Sequence, residues 1–154
     1  RRQRQMCIRD SYINSILALR EALDAGCEEA LLLDNEGYVA EGSGENVFIV
    51  RDGTIYTPEL TSCLEGITRD SIFRIAADLG YQIRERRITR DEVYVADEAF
   101  FTGTAAEVVP IRELDGRAIG SGSRGPLTEQ LQSIYFDTVR GRESQYGAWL
   151  TPVS

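Results

Sequence analysis

Three short segments of this 154-residue chain set acids, glycines and hydroxyls where they can hold a small anionic ligand. Glu41-Gly42-Ser43-Gly44-Glu45-Asn46 places two carboxylates around two glycines, and glycine lets backbone pass close to a ligand. The same residues also read as a glycine-rich bulge with solvated acids, the more ordinary outcome for such spacing. Gly66-Ile67-Thr68 opens a helical pattern, with Arg69 and Asp70 in its first turn. The first amide N–H groups of a helix have no intrahelical acceptor and attract anions, although every helix has such an end and a plain cap is the commoner case. Thr102-Gly103-Thr104-Ala105-Ala106-Glu107 is a turn of small residues. Its hydroxyls and amides suit a phosphate or carboxylate, or it is simply a tight turn packed on the core. Each signal is weak alone; their order and spacing together carry the reading.

What the chain lacks limits its chemistry as much. All 17 basic residues are arginines, and histidine is absent. A mechanism built on a lysine amine or a histidine base is therefore closed to these residues alone. The net charge of −8 argues against a nucleic-acid or acidic-membrane partner. The cluster Arg84, Arg86, Arg87, Arg90 reads as a solvated strand edge and helix start. Cys7, Cys27 and Cys63 are an odd number without CxxC spacing, so free thiols in a reducing compartment are expected, with no metal site. No apolar run approaches a membrane span, and Arg1–Asp10 has no apolar stretch of the secretory kind. The expectation is a cytoplasmic protein.

The elements that must position these segments are legible from period and punctuation. Helical period begins at Ser11, with Ile13, Ile16, Leu17 and Leu23 on one side and Gly26 as the stop. Ala30–Leu33 and Tyr38–Glu41 are strands about the Asn35-Glu36-Gly37 turn. Asn46–Arg51 and Thr54–Thr57 form a hairpin across Asp52-Gly53. Gly66–Gly80 is a helix with Ile72, Ile75, Ala76 and Leu79 inward. Gln82–Ile88 alternates like an edge strand, and Thr89 to Glu92 has capping-box spacing for a short helix. Glu98–Thr102 and Glu107–Leu114 are strands, and Gly125–Val139 is the last helix, with Pro126 near its start and Leu127, Leu131, Ile134, Tyr135 and Val139 inward. The pattern predicts a mixed α/β (α+β-like) domain rich in antiparallel hairpins.

From Tyr12 onward the chain resembles the fold-type IV pyridoxal-phosphate (PLP) enzymes, and among them the branched-chain amino-acid aminotransferases. The stretches that carry the resemblance are "YINSILALREA" from Tyr12, "LDNEGYVAEGSGENVFIV" from Leu33, "TPELTSCLEGITRDSI" from Thr57, "ADEAFFTGTAAEVVPI" from Ala96, "DGRAIGSGSRGPLTEQLQ" from Asp115 and "GAWL" from Gly147. The last two lean toward the branched-chain subgroup over D-amino-acid aminotransferases and aminodeoxychorismate lyases. The resemblance implies the C-terminal large domain of the D-amino-acid-aminotransferase-like fold, an antiparallel-rich sheet or pseudo-barrel with flanking helices. It implies that Glu41 pairs with the pyridine nitrogen of PLP, that Tyr12 bonds the 3′-oxygen and that Leu64 packs on the ring. The amides of Ile67 and Thr68, with Thr104, would hold the phosphate. Amides around Thr104 and Ala105 would receive the substrate carboxylate, with Glu45 and Asn46 as supports behind these.

One position departs from the family. Cys7 stands where the family carries its lysine, so the resemblance implies no covalent attachment of PLP here. The family also has an N-terminal domain that supplies a phosphate-binding arginine and much of the substrate pocket. The match breaks between Ser11 and Tyr12. The expectation is that Arg1–Ser11 is foreign to the natural protein, through a chimeric read, a wrong gene start or a truncated gene, and that 12–154 is the PLP-binding domain. Two functions follow. In the first, the chain is part of a transaminase for branched-chain L-amino acids and 2-oxoglutarate, inactive as it stands, whose full-length parent is a homo-oligomer. In the second, it is a non-catalytic domain of the same fold acting as a scaffold.

Overall fold

The computed structural model describes the backbone of residues 2–151 and the side chains of residues 12–151. The expectations that rest on the Cys7 side chain and on the nature of Arg1–Ser11 fall outside the described side chains.

A five-stranded sheet organises the chain. Its order is β5 (Ile83–Glu85), β4 (Thr54–Thr57), β3 (Asn46–Arg51), β6 (Glu98–Gly103), β7 (Glu107–Pro110). All pairs are antiparallel except β4 with β5. The sheet is mixed and open, with β5 and β7 at its edges. The Asp52-Gly53 turn joins β3 to β4 with both residues at positive φ, 49° and 71°, the conformation of a two-residue hairpin loop that follows the right-handed strand twist.

The central strand is buried on both faces, so it reads as a run rather than an alternation. Phe48 and Val50, with Phe100 of β6, meet the helices α2 (Ile67–Asp78) and α4 (Pro126–Val139). Phe48 and Phe100 stack with centroids 5.0 Å apart. On α2, Ile72, Ile75 and Ala76 are fully buried, as the period predicts. Val47 and Ile49 face the opposite way and pack with Val39, Ile88, Val93 and Phe101. That second layer is built from the small sheet of β1 (Leu31–Leu33) and β2 (Val39–Gly42), and from α3 (Arg90–Tyr94) with its Thr89–Glu92 capping box.

Several sequence expectations need correction. The helix α1 spans Arg2–Asp24, so it includes the stretch read as lacking a period. Its stripe of Ile13, Ile16, Leu17 and Leu23, expected to face a core, is 64, 54, 62 and 53% exposed, because no described element covers that side. Val139 of α4 is also exposed. Finally, Glu107–Leu114 is not one strand. β7 stays with β6, whereas β8 (Glu113–Leu114) folds back on β9 (Arg117–Ala118) across Asp115-Gly116, both at positive φ.

The arginine cluster is solvated, and two of its members are individually paired. Arg86 bridges Glu92 and lies over the Tyr56 ring, and Arg87 bridges Glu36 and lies over Tyr38. Cys27 and Cys63 are free thiols. Among the described residues no helix is long and apolar enough to cross a membrane.

Candidate functional site

Glu41, in β2, pairs with Leu32 of β1, which carries its side chain to the rim of the sheet. Its Oε2 accepts the Leu64 N–H at 3.0 Å. Beyond it the chain turns tightly, closed by Gly42 N–H donating to the Glu45 carbonyl at 2.6 Å. Glu29, from the loop after α1, straps this turn by accepting the Ser43 N–H at 3.1 Å and the Ala30 N–H at 2.7 Å. A Cβ at Gly42 would lie 3.0 Å from the Phe101 ring, so the glycine lets the turn lie flat on the sheet.

The opposite wall is the loop from Pro58 to Gly66. Asn46, 5% exposed at the start of β3, donates from Nδ2 to the Leu64 carbonyl at 2.7 Å. Its Oδ1 would stand 2.2 Å from a Cβ on Gly66. Gly66 has an ordinary φ of −76°, so glycine is required there for space, not for backbone freedom. Arg69 fastens the loop's other end: Nη2 donates to the Pro58 carbonyl at 3.2 Å and also bridges Glu85, while the guanidinium lies over Phe73.

Gly66 is the N-cap of α2 and brings no side-chain cap. The first helical bond runs from Asp70 N–H to the Gly66 carbonyl, so the Ile67 and Thr68 amides before it have no acceptor among the described residues. Ile67 is 83% exposed while Thr68 is buried. Across the gap, β6 ends in Thr102 and Gly103, and Thr104 begins the turn to β7, whose first residue Glu107 is at φ 61°.

These walls enclose an open cavity of about 1160 Å³. Glu41, Glu45, Asn46 and Leu64 line it from one side, and Ile67, Thr68, Thr104 and Tyr12 from the others. The three segments singled out in the sequence thus meet at one place. Ala105 is exposed in the turn and does not line the cavity.

The family model for "Amino-transferase class IV" matches residues 1–114. The chain belongs to this family. A branched-chain-amino-acid aminotransferase of Pseudomonas aeruginosa is 64% identical over 143 residues, 93% of this chain and 47% of the relative. The T.th. branched-chain amino acid aminotransferase, solved in complex with N-(5′-phosphopyridoxyl)-L-glutamate, is 57% identical with a TM-score of 0.92 over 94% of this chain and 49% of that one. The same enzyme solved with pyridoxamine 5′-phosphate superimposes equally well, with a TM-score of 0.92. The chain therefore spans about half the length of the curated relatives it matches, with a mixed α/β fold matching theirs over that half.

The acids lining this cavity sit in unlike surroundings. Burial holds the Glu41 carboxyl above its ordinary range, against the smaller opposing pull of the Leu64 N–H. Burial together with the nearby charge of Glu29 pushes Glu45 up to about 7, so Glu45 exchanges its proton near neutrality. Burial pushes the Cys63 thiol up to about 11, which keeps it protonated and a poor nucleophile.

Sequence reasoning missed two features of the cavity wall. One is the part Gly66 and Asn46 play together, which is visible only once β3 and the loop are adjacent in space. The other is Thr102, which also lines the cavity and is 1% exposed. Its alternation with Phe100 is the signal that would have placed it on the α2 face of β6.

Proposed function

We propose that residues 12–154 are the PLP-holding domain of a transaminase that moves an amino group between branched-chain L-amino acids (Leu, Ile, Val) and 2-oxoglutarate. The observation that carries this is the single cavity on which Tyr12, Glu41, Leu64, Thr68 and Thr104 converge.

The residues present fit the non-covalent part of PLP. The phosphate has the uncapped start of α2, where Ile67, Thr68 and Thr104 line one cavity. The ring has Leu64, 44% exposed beside Glu41. The pyridine nitrogen has Glu41, whose carboxylate keeps a proton on that nitrogen by ion pairing. Tyr12, 54% exposed at the cavity rim, donates its hydroxyl to the ring oxygen. The Thr104 amide receives the substrate carboxylate, whereas Ala105, expected to share that role, lies outside the cavity lining. Glu45 and Asn46 brace Glu41 and Leu64 from behind. When bound, PLP supplies an electron sink for the bond broken at the substrate α-carbon.

The fit stops at the covalent anchor. The 154 residues contain no lysine, so the amine that anchors the cofactor and carries the α-proton has to be supplied by other residues, and this chain alone turns over no substrate. In the family that lysine stands at the position Cys7 occupies here, so the parent, a homo-oligomeric, cytoplasmic protein, carries it just before Tyr12, and the family's N-terminal domain adds a phosphate-binding arginine and much of the substrate pocket. The exposed apolar stripe of α1 supports such an arrangement. The absence of lysine also supports a second reading, a non-catalytic domain that keeps the phosphate pocket as a scaffold.

The test joins Tyr12–Ser154 to the N-terminal half of a close relative ending in its lysine-bearing loop and assays leucine with 2-oxoglutarate. Restored transamination supports the first reading. In that protein Glu41→Gln should lower turnover by on the order of 10²–10³, the usual loss for one preorganised electrostatic contact, with the cofactor still bound. A folded, PLP-binding chimera without activity favours the scaffold.

A further inference from the structure

Thr102 is one of two described residues with a buried side-chain polar atom that has no hydrogen-bond partner; the other is Arg69, at Nε. The two differ in what surrounds them. Arg69 is held through Nη2 by Pro58 and Glu85, whereas the Thr102 hydroxyl is the whole polar content of its side chain. Thr102 is 1% exposed, so bulk water does not serve it.

Its placement says what does. Thr102 pairs with Asn46 across β3 and β6, as Phe100 pairs with Phe48 two residues earlier. Both pairs therefore leave the sheet on the face that carries α2. Asn46 on that face touches the N-cap glycine of α2 and holds the Leu64 carbonyl. Thr102 lines the same cavity as Gly66, Thr68 and Thr104. The uncapped helix start and Thr102, whose buried hydroxyl is unpartnered, thus line one cavity. A hydroxyl can donate as well as accept, and the charge that gathers at a helix start is negative.

We infer that Thr102 is a further phosphate-binding residue, whose hydroxyl donates to the anion held at the start of α2. This rests on the cofactor reading given above and adds a donor from the sheet, opposite the helix amides. The sheet donor fixes the anion's depth: helix amides and the Thr104 turn grip it from the outside, and Thr102 from beneath.

The experiment titrates the 154-residue chain with pyridoxamine 5′-phosphate and with pyridoxamine, which lacks the phosphate, by calorimetry and ³¹P NMR. Thr102→Val keeps the shape and removes the donor. It should weaken the phosphorylated probe about tenfold, in keeping with a charge-assisted hydrogen bond, and leave pyridoxamine unchanged. Thr102→Ser, which restores the hydroxyl, should bind the phosphorylated probe within about twofold of the parent. If Thr102→Val does not fold, Thr102→Ala is read with the same two probes. The inference is overturned if the valine or alanine variant binds pyridoxamine 5′-phosphate as the parent does, or weakens both probes equally. If the parent itself shows no preference for the phosphorylated probe, the cofactor reading fails and this inference with it.

Discussion

Two helices start against the same face of the sheet, each from a glycine, and they finish that start in opposite ways. At α4 the N-cap Gly125 leaves room for Glu98 of β6, whose carboxyl carbon would lie 2.1 Å from an added Cβ. Glu98 fills the space: it accepts the Leu127 N–H at 3.0 Å, the Thr128 N–H at 2.7 Å and the Thr128 hydroxyl at 2.7 Å. At α2 the N-cap Gly66 leaves room for Asn46 of β3. Asn46 turns its amide to the Leu64 carbonyl instead, and among the described residues no side chain accepts from the first amides of the helix. One helix start has its anion built in. The other is held open by a side chain that supports the neighbouring loop, and it opens into the cavity. A helix start is thus filled or left open according to what the adjacent strand delivers to it, not according to the helix sequence.

The contrast predicts a large effect at the filled end. Glu98→Ala should cost about 2–3 kcal/mol of stability, since it strips a carboxylate from two helix amides and leaves the buried Thr128 hydroxyl unpaired. Urea unfolding followed by circular dichroism measures it, and pyridoxamine 5′-phosphate binding at α2 should be unchanged. A loss below about 0.5 kcal/mol, the range of ordinary surface changes, would break the comparison.

The next effect lies at the open end. Arg69→Ala removes the tie from the first turn of α2 to the Pro58 carbonyl and the bridge to Glu85. Glu85 is 44% exposed and regains water once unpaired, so the stability cost should be only about 1–2 kcal/mol. Binding should fall as well, because the loop bearing Leu64 loses its fastening at Pro58. Unfolding and ligand titration of the same variant check both. A stability loss with full binding would show that the bonds of Asn46 and Glu41 to Leu64 position the loop without Arg69.

How far this is legible in the sequence follows from the range of each cause. The Asp52-Gly53 hairpin, the capping box at Thr89 and the buried stripe of α2 are set by neighbours in sequence, and they are readable there. The glycines at 66 and 125 are readable as helix starts but not as spaces, because the side chains that need those spaces come from β3 and β6. Glu98 reads only as the first residue of a strand. The α1 stripe is readable as amphipathic, but its exposure depends on what packs against it. The site residues are found through resemblance to a family, and the cavity they line is a product of long-range pairing that no local pattern encodes.

A pH titration sharpens the comparison between carboxylates. Glu98 is surrounded by donors, whereas Glu45 is half-buried beside Glu29, and its folded value of about 7 stands above its ordinary 4.5. The folded state then holds that proton more tightly than the unfolded state. Stability contributed by the protonated form is present at low pH and is lost as pH rises through this window, levelling off above about 7. Melting temperatures should fall between about pH 4.5 and about pH 7, and Glu45→Gln, which stays neutral, should flatten that fall. Parallel profiles for parent and variant would show that the proton on this turn is not held by Glu45.

The smallest effect concerns charge in the first turns. Asp70 of α2 is paired with Arg74 at 2.9 Å, and both are well over half exposed; Glu129 of α4 is likewise paired with Arg124. A carboxylate near a helix start stabilises the helix but competes with an incoming anion for the same positive end. At the open start, Asp70→Asn should therefore tighten pyridoxamine 5′-phosphate by no more than about threefold at low salt, since exposed charges are strongly screened. In about 0.5 M salt, where the Debye length shrinks to a few ångströms, the gain should vanish. At the filled start, Glu129→Gln should change nothing in binding, because Glu98 already occupies the amides there. Equal gains from both variants would mean that the effect is one of net charge and not of which helix start is open. A gain at Asp70 that survives high salt would instead place its carboxylate in direct contact with the bound phosphate.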